Sequence, residues 1–148
     1  MTYRHLLVPT DGSELSDRAV AQAVALAAAL GAQLRFLHVQ NSFPMSLVGV
    51  GELVEASTVD ALVAAARQRA EAILAAAMAV AEQAGVAAET ATQINPQPHL
   101  AILEEAREHG CDLIVMASHG RRGLEGLLIG SETQRVLTHS SCPVLVVR

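Results

Sequence analysis

Residues 112–137 read DLIVMASHGRRGLEGLLIGSETQRVL, and the changes of character within them decide the fold. Leu113 to Met116 is an unbroken apolar run, the pattern of a central strand buried on both faces of a parallel sheet. Ser118 to Gly130 is rich in glycine, and a short helix is expected from about Ser131 to His139. Strand, Gly-rich turn and helix start, in that order, place the turn beyond the C-terminal end of a strand, where open parallel sheets hold ligands.

Outward from this segment the same grammar repeats. Arg4 to Val8 is an apolar strand closed by Pro9-Thr10-Asp11-Gly12, and Ser13 is placed to cap a helix that runs to Gly31. Leu34 to Val39 reads as a second strand, with His38 at its end, and Asn41 to Ala56 as an apolar connection. A long Ala-rich helix is expected from Ser57 or Thr58 to Ala84, stopped by Gly85. Val86, Ala88, Thr90, Thr92 and Ile94 alternate with mostly polar residues, as in a half-exposed edge strand. A further helix follows Pro98 and stops at Gly110, and Pro143 to Val147 closes the chain as a strand. The order β-α-β-α-β-α-β-α-β specifies a single α/β domain: an open five-stranded parallel sheet with helices on both faces and right-handed crossovers.

Composition narrows the chemistry. The 148 residues carry 10 basic against 15 acidic side chains, a formal charge of −5, and every basic residue is Arg. Without Lys there is no Schiff base, no Lys-linked cofactor and no Walker-type phosphate lysine. The acidic balance, with one Tyr, two Phe and no Trp, lacks the basic patch and stacking platform of a nucleic-acid binder. The 51% hydrophobic fraction includes 27 Ala, which predicts a tight core of closely packed helices. The uncharged run Ala19 to Leu34 is about half Ala and too short for a membrane span. The opening MTYRHLLVPTDGS reaches Asp11 after five apolar residues with no small-residue cleavage site, so a cytoplasmic protein is expected. Cys111 and Cys142 each precede a strand and are expected to stay reduced. His5, His38, His99, His109 and His139 show no metal-ligand spacing.

In the Gly-rich segment, backbone N–H groups can approach an anion closely, and the following helix start offers unpaired donors and a positive dipole end. Arg121 and Arg122 can add charge, with Gly123 and Gly126 lending freedom; the alternative is a surface loop with solvated Arg. Asp11 either orders the turn and caps the first helix or faces a ligand. His119 is expected to hydrogen-bond, with no catalytic role.

Ala117-Ser118-His119-Gly120, nine residues, then Gly130-Ser131 resembles the universal stress protein family, whose nucleotide-binding members carry Gly-x-x-Gly, nine residues, then Gly-Ser/Thr. The resemblance spans the chain, from the VPTDGS turn and His38-Val39 to GSETQRVL and CPVLVV. It implies sheet order 3-2-1-4-5 and the adenine nucleotide alpha hydrolase-like fold, with ATP, ADP or AMP bound at the switch point as a regulatory ligand together with Mg2+ or Mn2+. By this resemblance Pro9, Thr10 and Asp11 meet adenine and ribose, with Asp11 facing a ribose hydroxyl or the metal, and Val39 meets adenine through its backbone. Met116 and Ala117 line the nucleoside pocket; His119, Gly120, Arg121, Arg122 and Gly123 surround the phosphates; Gly130, Ser131, Glu132 and Thr133 complete the cradle. Ala117 departs from the motif's first Gly, and Glu132 brings a carboxylate to the phosphate end. The family also implies a homodimer through antiparallel pairing of Val144 to Val147. The alternatives are a nucleotide-free family member acting as a dimerising interaction module and, more distantly, a nucleotidyl transferase or ATP pyrophosphatase. The His-x-Gly-His and Ser-Gly-Gly-x-Asp-Ser strings of those enzymes do not occur. With no dedicated base near the cradle, fast ATP hydrolysis is not expected, while slow hydrolysis stays open.

Overall fold

The computed structural model describes residues 2–41, 56–120 and 129–148. The elements are β1 (His5–Pro9), α1 (Glu14–Leu30), β2 (Gln33–Gln40), α2 (Ala56–Gln83), β3 (Ala88–Ile94), α3 (Pro98–Glu108), β4 (Leu113–Ala117), α4 (Ser131–His139) and β5 (Val144–Val147). All strand pairs are parallel, in the order β3-β2-β1-β4-β5. The α/β class read from the alternation and the 3-2-1-4-5 order implied by the family resemblance therefore both stand. The Asn41 to Ala56 connection, with its Phe43 to Val54 segment, falls almost wholly outside the described residues.

Strand period two sorts the core into two layers. Leu6 and Val8 of β1, Leu34 and Phe36 of β2, and Leu113 and Val115 of β4 meet Val20, Ala23, Val24 and Ala27 of α1 and Leu74, Ala77 and Ala81 of α2. Leu7, Leu37, Ile114 and Met116 point the other way, onto Ile102 and Ala106 of α3 and Val136 of α4. Ala at the contact rows of α1 and α2 lets both helices sit close to the sheet, so the Ala-rich composition becomes close packing. Cys111 is buried in the second layer, with Cys142 packed against it, and both thiols are free.

Element ends follow local chemistry. Ser13 caps α1, its Oγ accepting from the Ser16 N–H at 3.2 Å. The third strand starts at Ala88, two residues later than the alternation suggests. At the end of α2, Gly85 takes φ +67°, and Val86 N–H bonds back to the Ala81 carbonyl at 3.0 Å. Val86 therefore belongs to the helix stop. Likewise His38 lies inside β2, which continues to Gln40.

A buried ionic cluster joins β2, β3 and α3. Arg35 Nε donates to Glu105 Oε1 at 2.5 Å and Arg35 Nη1 to Glu89 Oε1 at 2.8 Å, while the Gln93 amide also donates to Glu105. With side chains 11% and 4% exposed, Arg35 and Glu105 are tolerated inside because they pair with each other and because Glu89 and Gln93 complete their hydrogen bonds.

Candidate functional site

The strand order reverses between β2, β1 and β4, so a crevice is expected beyond the C-terminal ends of β1 and β4. A cavity of about 730 Å³ lies there. Its lining includes Pro9, Thr10, Asp11, Val39, Met116, Ala117, His119, Gly120, Gly130, Ser131, Glu132 and Thr133. These are all the candidate residues that fall among the described ones; Arg121, Arg122 and Gly123 lie outside them.

The β1 turn is held from several sides. Thr10 N–H donates to the Leu37 carbonyl at 2.9 Å, and the Thr10 carbonyl accepts from His38 Nδ1 at 2.9 Å. The Thr10 hydroxyl lies 3.2 Å from that of Ser16. Because its partner is a carbonyl, His38 must carry a proton on Nδ1, which assigns the tautomer. Asp11 Oδ1 accepts from the Ser13 N–H at 2.9 Å, so the side chain that orders the turn also lines the cavity.

Two motif glycines permit the closest approaches. A Cβ on Gly120 would lie 2.5 Å from Asp11 Oδ2. One on Gly130 would lie 3.0 Å from His119 Cβ and 3.3 Å from the Ser118 carbonyl, to which Gly130 N–H donates at 2.6 Å. The first contact joins the β4 loop to the β1 turn; the second folds that loop onto the start of α4. Gly130 is the N-cap of α4 and supplies no side-chain acceptor, so the first-turn amides of α4 are left for a ligand at the cavity wall. The Thr133 hydroxyl donates to the Ala117 carbonyl at 2.9 Å and ties the end of β4 to α4.

Glu132 turns its carboxylate away from this helix start. Oε2 accepts from the His99 N–H at 2.8 Å and from His99 Nδ1 at 2.9 Å, and Oε1 accepts from Arg135 Nη1 at 2.6 Å. Burial pushes the carboxyl up, but the His99 backbone and ring and the Arg135 guanidinium outweigh it and hold Glu132 below its ordinary range. Its charge is thus largely answered by neighbours.

Sequence reasoning missed the far wall: Gln40, Ala66, Arg69 and Ile73, with Pro96, Pro98 and Ile102, also line the cavity. Nothing in an Ala-rich helix marks Ala66, Arg69 and Ile73 as wall residues before the packing of α2 on the sheet is known. Arg69 is the only Arg among the described lining residues. Among the described residues no group of three or more His, Cys, Asp or Glu could hold a metal ion. No helix among them is long and apolar enough to cross a membrane.

The universal stress protein family model matches residues 2–148. Universal stress protein YxiE of Bacillus subtilis is 36% identical over 149 residues, covering 99% of each chain. The solved structure of MJ0577, a universal stress protein of Methanocaldococcus jannaschii, aligns with a TM-score of 0.82 at 28% identity, over 99% of this chain and 96% of that one. A universal stress protein solved in complex with cAMP aligns with a TM-score of 0.70 at 29% identity, over 100% and 98%. A five-stranded sheet in the order 3-2-1-4-5, a glycine-lined crevice at its switch point and a family match along nearly the whole sequence agree: the chain belongs to the universal stress protein family.

Proposed function

We propose that the chain binds an adenine nucleotide, ATP or its products ADP and AMP, in the switch-point cavity as a regulatory ligand. The observation that carries this reading is that every described candidate residue lines one cavity, with the uncapped start of α4 at its wall. A related protein solved with cAMP supports the adenine class. In this reading the nucleoside lies among Pro9, Thr10, Asp11, Val39, Met116 and Ala117, near the backbone of β2. The phosphates lie against His119, Gly120, Gly130, Ser131 and the α4 amides, and the family resemblance adds Arg121, Arg122 and Gly123, which fall outside the described residues. Asp11 would be the residue that holds a Mg2+ or Mn2+ ion, which would supply charge neutralisation for the phosphates. The role proposed is to hold the nucleotide as a regulatory ligand, with slow hydrolysis left open.

The same reading makes the protein a cytoplasmic homodimer. β5 is an edge strand with Leu145 42% exposed, which leaves a row of backbone groups for a second copy to pair with. Val146→Pro is expected to give a monomer by light scattering; a dimer that survives it moves the interface elsewhere. For the ligand, titration calorimetry with ATP, ADP and AMP should show binding to the native chain. Gly130→Val should lose it, because a branched side chain would enter the space of His119 and Ser118. No binding by the native chain at millimolar nucleotide would refute the reading and favour a nucleotide-free interaction module.

A further inference from the structure

The start of α3 lacks a cap of its own. Gln97 stands at the N-cap with φ −119° and ψ 88° and makes no side-chain capping bond. The acceptor for the His99 N–H comes instead from α4, where Glu132 Oε2 receives both that N–H and the ring Nδ1–H. Since a carboxylate only accepts, the ring proton is on Nδ1. His99 is buried at 8% exposure and is not part of the cavity wall, whereas Glu132 is the second residue of α4 and sits at that wall. The carboxylate therefore caps a neighbouring helix, and Arg135 on the next turn holds its other oxygen. α4 is thus fastened from the side, and the amides of its own first turn stay open to the cavity.

We infer that the His99–Glu132 pair is a positioning latch: it sets where the α4 amides stand, and so governs the phosphate-dependent part of nucleotide affinity without touching the nucleoside. This rests on the nucleotide reading above. Glu132 then acts through its side chain as a clamp on α3 and is not a direct phosphate contact, and its backbone N–H remains available as a donor. An unlatched Glu132 would instead be a like charge near the phosphates, so the two roles make opposite predictions for its removal.

Calorimetry with adenosine and AMP, on the native chain and on Glu132→Ala, Glu132→Gln and His99→Leu, separates them. Glu132→Ala and His99→Leu should weaken AMP by about tenfold, the scale of one lost charged hydrogen bond, with adenosine changed less than about twofold. Glu132→Gln, which keeps an acceptor for the His99 N–H, should retain most of the AMP affinity. Equal losses for adenosine and AMP, or tighter AMP binding by Glu132→Ala, would overturn the latch. Amide hydrogen exchange in the ligand-free protein gives an independent reading. The His99 amide, which donates to Glu132 Oε2, and the Gln134 amide, which donates to the Gly130 carbonyl at 3.0 Å, should exchange faster in Glu132→Ala than in the native chain, and unchanged exchange overturns the proposal. If the native chain binds neither ligand, the nucleotide reading fails, and exchange at these amides still decides whether the latch exists.

Discussion

Gly120→Ala tests whether the two loops of the crevice are built as one unit. The added Cβ would stand 2.5 Å from Asp11 Oδ2, and real Cβ contacts essentially never fall below 3.0 Å, so at least 0.5 Å must be made up. Asp11 cannot swing away at no cost, because its other oxygen accepts from the Ser13 N–H at 2.9 Å. Either the β4 loop retreats or that bond breaks. Overpacking of this kind costs about 1–3 kcal/mol, and losing a hydrogen bond to a charged group costs about 1.5–3 kcal/mol. A loss of about 2 kcal/mol lowers the melting temperature of a domain of this size by roughly 4–8 °C. The assay is a double-mutant cycle by thermal and urea unfolding over the native chain, Gly120→Ala, Asp11→Ala and the double variant. If the clash with Asp11 is the cause, Gly120→Ala costs little once Asp11 is Ala, and the coupling energy approaches the whole cost of the single change. Additive costs would refute the reasoning, as would a Gly120→Ala protein as stable as the native chain.

Three further outcomes follow from the remaining geometry. Glu105→Ala should destabilise the fold by about 1.5–3 kcal/mol in urea unfolding, because it leaves the buried Arg35 with Glu89 as its remaining carboxylate, and Glu105→Leu with Arg35→Met together should recover much of it. Glu132 lies below its ordinary value of 4.5 in the folded chain, so its contribution is fully present above that value and is lost as pH falls through the lower folded one; Glu132→Gln should flatten this acid limb of the stability profile. The Cys111 thiol, pushed up to about 12 chiefly by burial, is on the order of 10⁻⁴ thiolate at pH 8. Iodoacetamide should therefore label the half-buried Cys142 first and Cys111 only on unfolding, as mapped by peptide mass spectrometry.

The legible parts of this molecule were those whose physics is local. A strand buried on both faces reads as an unbroken apolar run, which is why Leu113 to Met116 could be recognised as central, and a helix start or stop reads from one capping residue, as at Ser13. The start of β3 was less legible because Val86 looks like a strand residue, yet its amide is claimed by the helix stop behind it. The spaced glycines could be recognised as a motif. What each one makes room for was not visible, since Asp11 and His119 approach them only in the folded chain.

Glu132 marks the limit most clearly. By sequence it is a carboxylate placed where phosphates are expected, an apparent conflict. The tertiary structure turns it toward α3, where His99, 33 positions away in the chain, receives it as a cap. The far wall of the cavity came the same way, from α2 packing across the sheet. Alternation, caps and glycine spacing determined the class of fold and the place of the crevice, because strand period and helix ends depend on neighbours a few residues apart. Orientation of charge and the identity of the opposing wall depend on contacts between distant segments, and only the packed structure decided those.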